Sequence, residues 1–298
     1  MDPYTNPDSQ TDRTLQAMIT RLEERGQHPA FQEMIDHYVS SIRGDQPVSV
    51  LDLGCGTGVV TRRLAQMLHA SSNIHGADVS DALLAEGRRQ DQTQRIHWDY
   101  ISPGRLPYAD GQFDVVTMHT LLSHVNDPVA ILKEAKRVLA PGGKLIVFDA
   151  DHAGTTYGQE SYEAMRRVDH LLTSAIATHP DICRQMPRYL KTVGFILNHH
   201  SSDVLSECGQ GDFWLSSVRG FAGVLPALNI LSEEEGNQWV RHMYDSHDNG
   251  TFFAAGSYYT LLCVCFRIDS RMTTAQERGQ LVDHEAAFMA PGMECHVQ

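Results

Sequence analysis

Apolar residues recur at helical spacing over residues 13–25 (Leu15, Met18, Ile19, Leu22) and 30–43 (Phe31, Met34, Ile35, Tyr38, Val39), with Gly26 and Gly44 placed as stops. Two amphipathic helices therefore open the chain over residues 1–45. The period then changes. The apolar run VSVLDL at 48–53 breaks at glycines and passes into the helical pattern VVTRRLAQML, which reads as strand, tight turn, helix. The unit recurs: strand NIHGADV and helix SDALLAEGRR, strand RIHWDYI and a loop, strand FDVVTMHT and helix DPVAILKEAKRVLA, then Pro141-Gly142-Gly143 and strand KLIVFDA. Strands alternating with helices over 46–150 predict a doubly wound, mostly parallel α/β sheet with its site at the carboxyl ends of the strands.

After residue 150 helical stretches are expected near 158–178 and 181–192, a short strand near 193–199, and further helices near 211–222 and 232–247. This makes 151–268 a helical cap inserted after strand five, closed by the alternating run 258–266 as a late antiparallel strand of the same sheet. Residues 269–298 read as a polar tail. The cap's aromatic residues, including Tyr157, Phe213, Trp214, Phe221, Trp239 and Tyr258, either enclose an apolar ligand or form the cap's own core.

Composition narrows the function. No stretch approaches the roughly 20 apolar residues of a membrane-spanning helix. The first residues are polar and acidic, unlike a secretory leader, so the expected location is the cytoplasm. A net charge of −13 without a Lys/Arg cluster speaks against nucleic acid as a partner. The six cysteines are scattered and the 16 histidines lack ligand spacing, so no metal is expected. The oligomeric state stays open, with a homodimer among the options.

The candidate chemistry gathers at strand ends. Gly54, Gly56 and Gly58, around Cys55 and after Asp52, fall at i, i+2 and i+4 between a strand and a helix, where backbone can approach a ligand. A dinucleotide turn would put its third glycine at 59, where this chain has Val59; the spacing suits an amino-acid-bearing nucleoside. Asp78, followed by Val79, ends the second strand and can accept from two ribose hydroxyls. Asp99 ends the third and can accept from an exocyclic amine, with Tyr100 and Ile101 flanking a ring.

The stretches VLDLGCGTG, ADVSDALL, WDYISPGRLPYADGQFDVV and LLSHVNDPVAILKEAKRVLAPGGKLIVFD resemble the class I S-adenosylmethionine (SAM)-dependent methyltransferases of the quinone-biosynthesis type, over about residues 46–150. The resemblance implies a Rossmann-like fold, SAM as cofactor and a small-molecule acceptor such as a quinone, phenol or specialised metabolite. It would set Gly54, Gly56 and Gly58 against the methionine part, Asp78 against the ribose, and Asp99 with Tyr100 against the adenine. One departure concerns the acceptor. The family subgroup often carries an acid–aromatic pair after strand five, where this chain reads Asp149-Ala150-Asp151-His152.

Methyl transfer needs little beyond near-attack geometry unless the acceptor must lose a proton. His119, at the end of strand four beside the expected sulfonium, is the candidate base, and His152 the second; His119 could instead only pack on the cofactor. Two rivals remain: a SAM-binding protein that uses the molecule as sensor ligand or scaffold, and an NAD-dependent dehydrogenase, which the turn spacing disfavours.

Overall fold

Residues 2–42, 44–227 and 231–265 are described by the computed structural model; the expected tail from residue 269 lies outside them. Residues up to Cys265 belong to one compact unit. Helices α1 (Asp12–Gln27) and α2 (Pro29–Ser40) precede strand β1 (Ser49–Leu53). There follow α3 (Val59–Met67), β2 (Asn73–Asp78), α4 (Asp81–Gln90), β3 (Ile96–Tyr100), β4 (Phe113–His119), α5 (Pro128–Val138) and β5 (Leu139–Ala150). The remainder is β6 (Thr156–Tyr157), α6 (Tyr162–Ile176), α7 (Ile182–Val193), β7 (Ile196–Gly209), α8 (Phe213–Ala227), α9 (Glu233–Asp248) and β8 (Phe252–Val264).

The sheet order is β3-β2-β1-β4-β5-β8-β6, with β7 on the other edge of β8. β1 to β5 pair in parallel and β8 is antiparallel to β5, β6 and β7, which gives the expected doubly wound sheet with a late antiparallel strand. Because successive strand residues point to opposite faces, Val50 packs with Phe31, Leu64 and Ile74 while Leu51 packs with Phe113, Leu132 and Leu190. Both faces are thus covered, which is why β1 reads as a near-continuous apolar run.

Two local readings change. Gly26 does not stop the first helix: it lies inside α1, where a Cβ would meet the Val59 side chain at 2.5 Å, so its bareness lets α1 cross close to α3. The stop comes at His28, extended before Pro29. The short strand expected near 193–199 is the 14-residue β7, paired along the whole of β8. Its alternation of intermediate and exposed residues is weak because one face is largely open to solvent.

Residues 2–9, read only as polar from the sequence, fold as two short 3-10 turns. Asp2 accepts from His124 Nδ1 (2.7 Å) and the Thr178 backbone N–H (3.1 Å), and Asp8 accepts from the Ser80 hydroxyl and the Asp81 N–H, so both ends are stitched to the core.

Candidate functional site

The turn between β1 and α3 uses its own donors. The N–H groups of Gly54 and Cys55 both donate to the Ala77 carbonyl (2.8 and 3.1 Å), that of Gly56 to Asp78 Oδ2 (2.7 Å) and that of Gly58 to the Cys55 carbonyl (2.8 Å). A turn whose N–H groups point into the protein offers no nest for a pyrophosphate. At Gly56 (φ +55°) a Cβ would meet only Leu22, at 3.6 Å, toward the cavity described below. Gly58 (φ +76°) serves packing instead: a Cβ there would sit 2.1 Å from the Trp98 ring.

Two acids frame the turn. Asp52 is buried and accepts from Thr61 (2.6 Å) and Thr117 (3.0 Å); burial outweighs these bonds and pushes its carboxyl up to about 6. Asp78, 7% exposed, accepts from Gly56 N–H and, through Oδ1, from Ser80 N–H (3.0 Å). Burial raises its pKa while those backbone donors oppose the rise.

A cavity of about 460 Å³ opens from this turn. Asp52, Gly54, Cys55, Gly56 and Asp78 line one end; His119, His152, Arg21, Arg25 and the apolar Met18, Leu22, Phe31, Ile176 and Phe221 line the rest. Of the cap aromatics, Phe221 reaches the cavity, whereas Tyr157, Trp214, Trp239 and Tyr258 are buried in the core cluster. Burial pushes the Cys55 thiol well above its ordinary range, so it is a packing group of the turn.

His119 stacks on Phe148 (4.4 Å between centroids) and meets the edge of Phe31 (5.2 Å). Its Nδ1 lies 2.8 Å from Tyr38 Oη, while its Nε2 is sealed from solvent without a protein partner. Burial, reinforced by the Arg25 charge, holds its pKa well below the usual histidine range. His152 also has a sealed, unpartnered Nε2, and burial pushes its pKa down to about 3.

The structure therefore brings Asp52, Gly54, Cys55, Gly56, Asp78, His119 and His152 to one chamber. It does not bring Gly58, Val79, Asp99, Tyr100 or Ile101 there. Val79 and Tyr100 line a second hollow with Asp2, Pro103 and Thr178. Ile101 is buried and donates its N–H to the Asp78 carbonyl (2.9 Å). Asp99 Oδ2 is taken by His75 Nδ1 (2.6 Å) and Tyr108 Oη (2.9 Å), and the His75 bond holds its carboxyl below the usual range. Arg21, Arg25 and Tyr38 were missed by sequence reasoning. A signal existed for Arg25: it continues the Met18, Leu22 stripe of α1, placing a charge at a core position.

Residues 51–147 match the family model described as a methyltransferase domain. That span runs from β1 into β5 and includes the glycine turn, Asp78, Asp99 and His119. The core is a class I methyltransferase domain. Among curated relatives, a 2-phytyl-1,4-naphtoquinone methyltransferase of Trichormus variabilis is 34% identical over 128 residues, 42% of this chain and 55% of that protein. An uncharacterized 37.1 kDa transposon protein of Streptomyces fradiae is 30% identical over 222 residues, 72% of this chain and 61% of that protein. The chain thus spans 55–61% of the length of these two relatives. The methyltransferase domain's fold recurs in the YcgJ protein of Bacillus subtilis, with a TM-score of 0.57 at 16% identity, covering 80% of this chain and 99% of that one. SAM is the cofactor of this domain family. Among the described residues no helix is long and apolar enough to cross a membrane.

Proposed function

We propose that the protein transfers a methyl group from SAM to a small, largely apolar acceptor of the quinol, phenol or specialised-metabolite kind. One observation carries this reading: the glycine turn with Asp78 and the apolar wall with His119 belong to a single cavity, so cofactor and acceptor would share one water-poor chamber. The residues suit SAM. Asp78 Oδ2 accepts from the Gly56 N–H and Oδ1 from the Ser80 N–H, a carboxylate has further lone pairs that can take a ribose hydroxyl, and Gly56 leaves its backbone bare on the cavity side. The inward N–H groups of the turn count against the nicotinamide dinucleotide alternative.

When bound, SAM supplies a methyl group on a sulfonium, activated for in-line displacement. The chain's own part is to bind, orient and exclude water. Tyr38, its hydroxyl pKa raised by burial, keeps its proton and lies in hydrogen-bond contact with His119 Nδ1; in the tautomer where that hydroxyl donates, the imidazole proton sits on Nε2. In that tautomer His119 offers an Nε2–H to an acceptor oxygen. In place of the general-base role expected from the sequence we propose a hydrogen-bond donor, because burial makes both imidazoles weak bases in this cavity. His152 lines the same chamber as a second neutral imidazole.

The test is incubation with methyl-labelled SAM and a panel of quinols, phenols and amines. Label should appear on an apolar hydroxylated acceptor. Tight SAM binding with label on none of them would favour a protein that uses SAM as a bound ligand.

A further inference from the structure

Arg21 and Arg25 line the cavity one helical turn apart on α1. Elsewhere Arg62, Arg63, Arg137 and Arg184 pair with Glu23, Asp36, Glu134 and Asp151 at 2.6–2.8 Å. Arg13 lines the cavity too but is exposed; Arg21 and Arg25 are partly buried, and among the described residues neither makes an ion pair. Arg25 gives Nη2 to the neutral Thr120 hydroxyl (3.2 Å), lies over the Phe31 ring (4.8 Å to the centroid), and keeps Nε sealed from solvent without a partner. Thr120 itself sits at φ +50°, an unfavourable setting for a β-branched residue that nonetheless fixes its hydroxyl under the guanidinium.

A guanidinium taken from water without a counter-ion is costly, and its planar fork of donors matches a carboxylate or other oxyanion. The nearest buried acid does not fill that role. Asp149 is fully buried, and its two oxygens accept from the Ser123 and Ala150 N–H groups (3.1 and 2.9 Å). Around the arginines the wall is mostly apolar, with Met18, Leu22, Ile176 and Phe221, and besides Arg25 Nε the unpartnered buried atoms of lining residues are the Nε2 atoms of His119 and His152 and Ser217 Oγ. This end of the chamber is therefore positive and greasy, whereas the glycine-turn end holds Asp52 and Asp78.

We propose that Arg21 and Arg25 form an anion subsite for the acceptor, an apolar aromatic molecule that carries a carboxylate or an ionised hydroxyl. This rests on the methyl-transfer reading and supplies what that reading lacks. An acceptor hydroxyl held as its anion beside two guanidiniums has no proton left to lose, so a site with two neutral imidazoles needs no strong base.

The experiment is calorimetric titration of the full chain with 1-naphthoate and with the isosteric, neutral 1-naphthamide. Naphthoate should bind at least tenfold more tightly. The preference should vanish in Arg25→Gln, shrink in Arg21→Gln and persist in Arg25→Lys, which keeps the charge; each variant's melting temperature identifies one that has merely unfolded. A second arm titrates SAM and decarboxylated SAM, because the cofactor's own carboxylate has the same chemistry. Arg25→Gln should leave the affinity for both within threefold of the unsubstituted protein. Equal binding of the two naphthalene probes, binding of neither, or a loss confined to SAM with decarboxylated SAM unaffected would overturn the proposal, the last outcome assigning the guanidinium to the cofactor. Naphthoate selectivity in a chain that does not bind SAM would instead overturn the methyl-transfer reading and leave the anion subsite standing.

Discussion

Asp78→Asn separates the two tasks of one carboxylate. Oδ2 holds the Gly56 N–H at 2.7 Å and Oδ1 the Ser80 N–H at 3.0 Å, so the side chain ties the glycine turn before any ligand arrives. In the amide one oxygen becomes an NH2 group facing an N–H donor. One backbone group at a buried position is then left unpaired, a cost of about 1–3 kcal/mol. The melting temperature of the ligand-free protein should fall by about 2–4 °C for each kcal/mol, the scale for a chain of roughly this size. The same change removes one charge-assisted acceptor for a ribose hydroxyl, worth about 1.5–3 kcal/mol, or roughly ten- to 150-fold in SAM affinity. Thermal unfolding without ligand and calorimetric titration with SAM measure the two effects separately. A lowered melting temperature with unchanged SAM affinity would refute the ribose role and leave Asp78 as a tie of the turn alone.

Gly58→Ala, with its Cβ 2.1 Å from Trp98 and φ at +76°, should destabilise the fold by more than about 1 kcal/mol, whereas Gly56→Val should chiefly abolish SAM binding; calorimetry that ranks them the other way would reverse the assignment of the two glycines. With His119 neutral, kcat should show no ascending limb between pH 6 and 8, and Tyr38→Phe should lower kcat without creating one; a limb near pH 6.5 in the unsubstituted enzyme would restore His119 as a base. His152, at about 3 when folded, stays neutral while the unfolded chain takes up a proton below about pH 6.5, so its contribution to stability is lost as pH falls through that value. From pH 7 to 5 the loss is at most about 2 kcal/mol, lessened by whatever solvent the cavity admits, and denaturant titrations of His152→Asn should show a correspondingly shallower decline.

The β/α alternation from 46 to 150 was legible because each strand ended at a glycine or acid and each helix kept its apolar spacing. Asp78 and the turn were legible for the same reason: local sequence sets them. The partners of Asp99 were not, since its carboxylate is held by His75 and Tyr108, one on the neighbouring strand and one in the following loop. His119 was placed correctly at the cavity, but its proton state depends on Tyr38, 81 positions away in α2. The cap aromatics could not be divided between core and cavity by composition, because both environments reward the same side chains. Residues 2–9 carry no periodic signal, and their order comes from two aspartates bonded to distant groups.

The lining of the cavity is drawn from two parts of the chain. The glycine turn, Asp78 and His119 lie within residues 51–147, whereas Arg21 and Arg25 on α1, His152, Ile176 on α6 and Phe221 on α8 lie outside it. On the proposed methyl-transfer reading, relatives that share this architecture can keep the first group while the second changes, so a new acceptor can be recruited by point changes in α1, α6 or α8 at little cost to cofactor affinity. On the same reading, kinship measured over the 51–147 segment is a poor guide to the acceptor, and exchanging α1 together with α8 between relatives is the natural route to exchanging their acceptors.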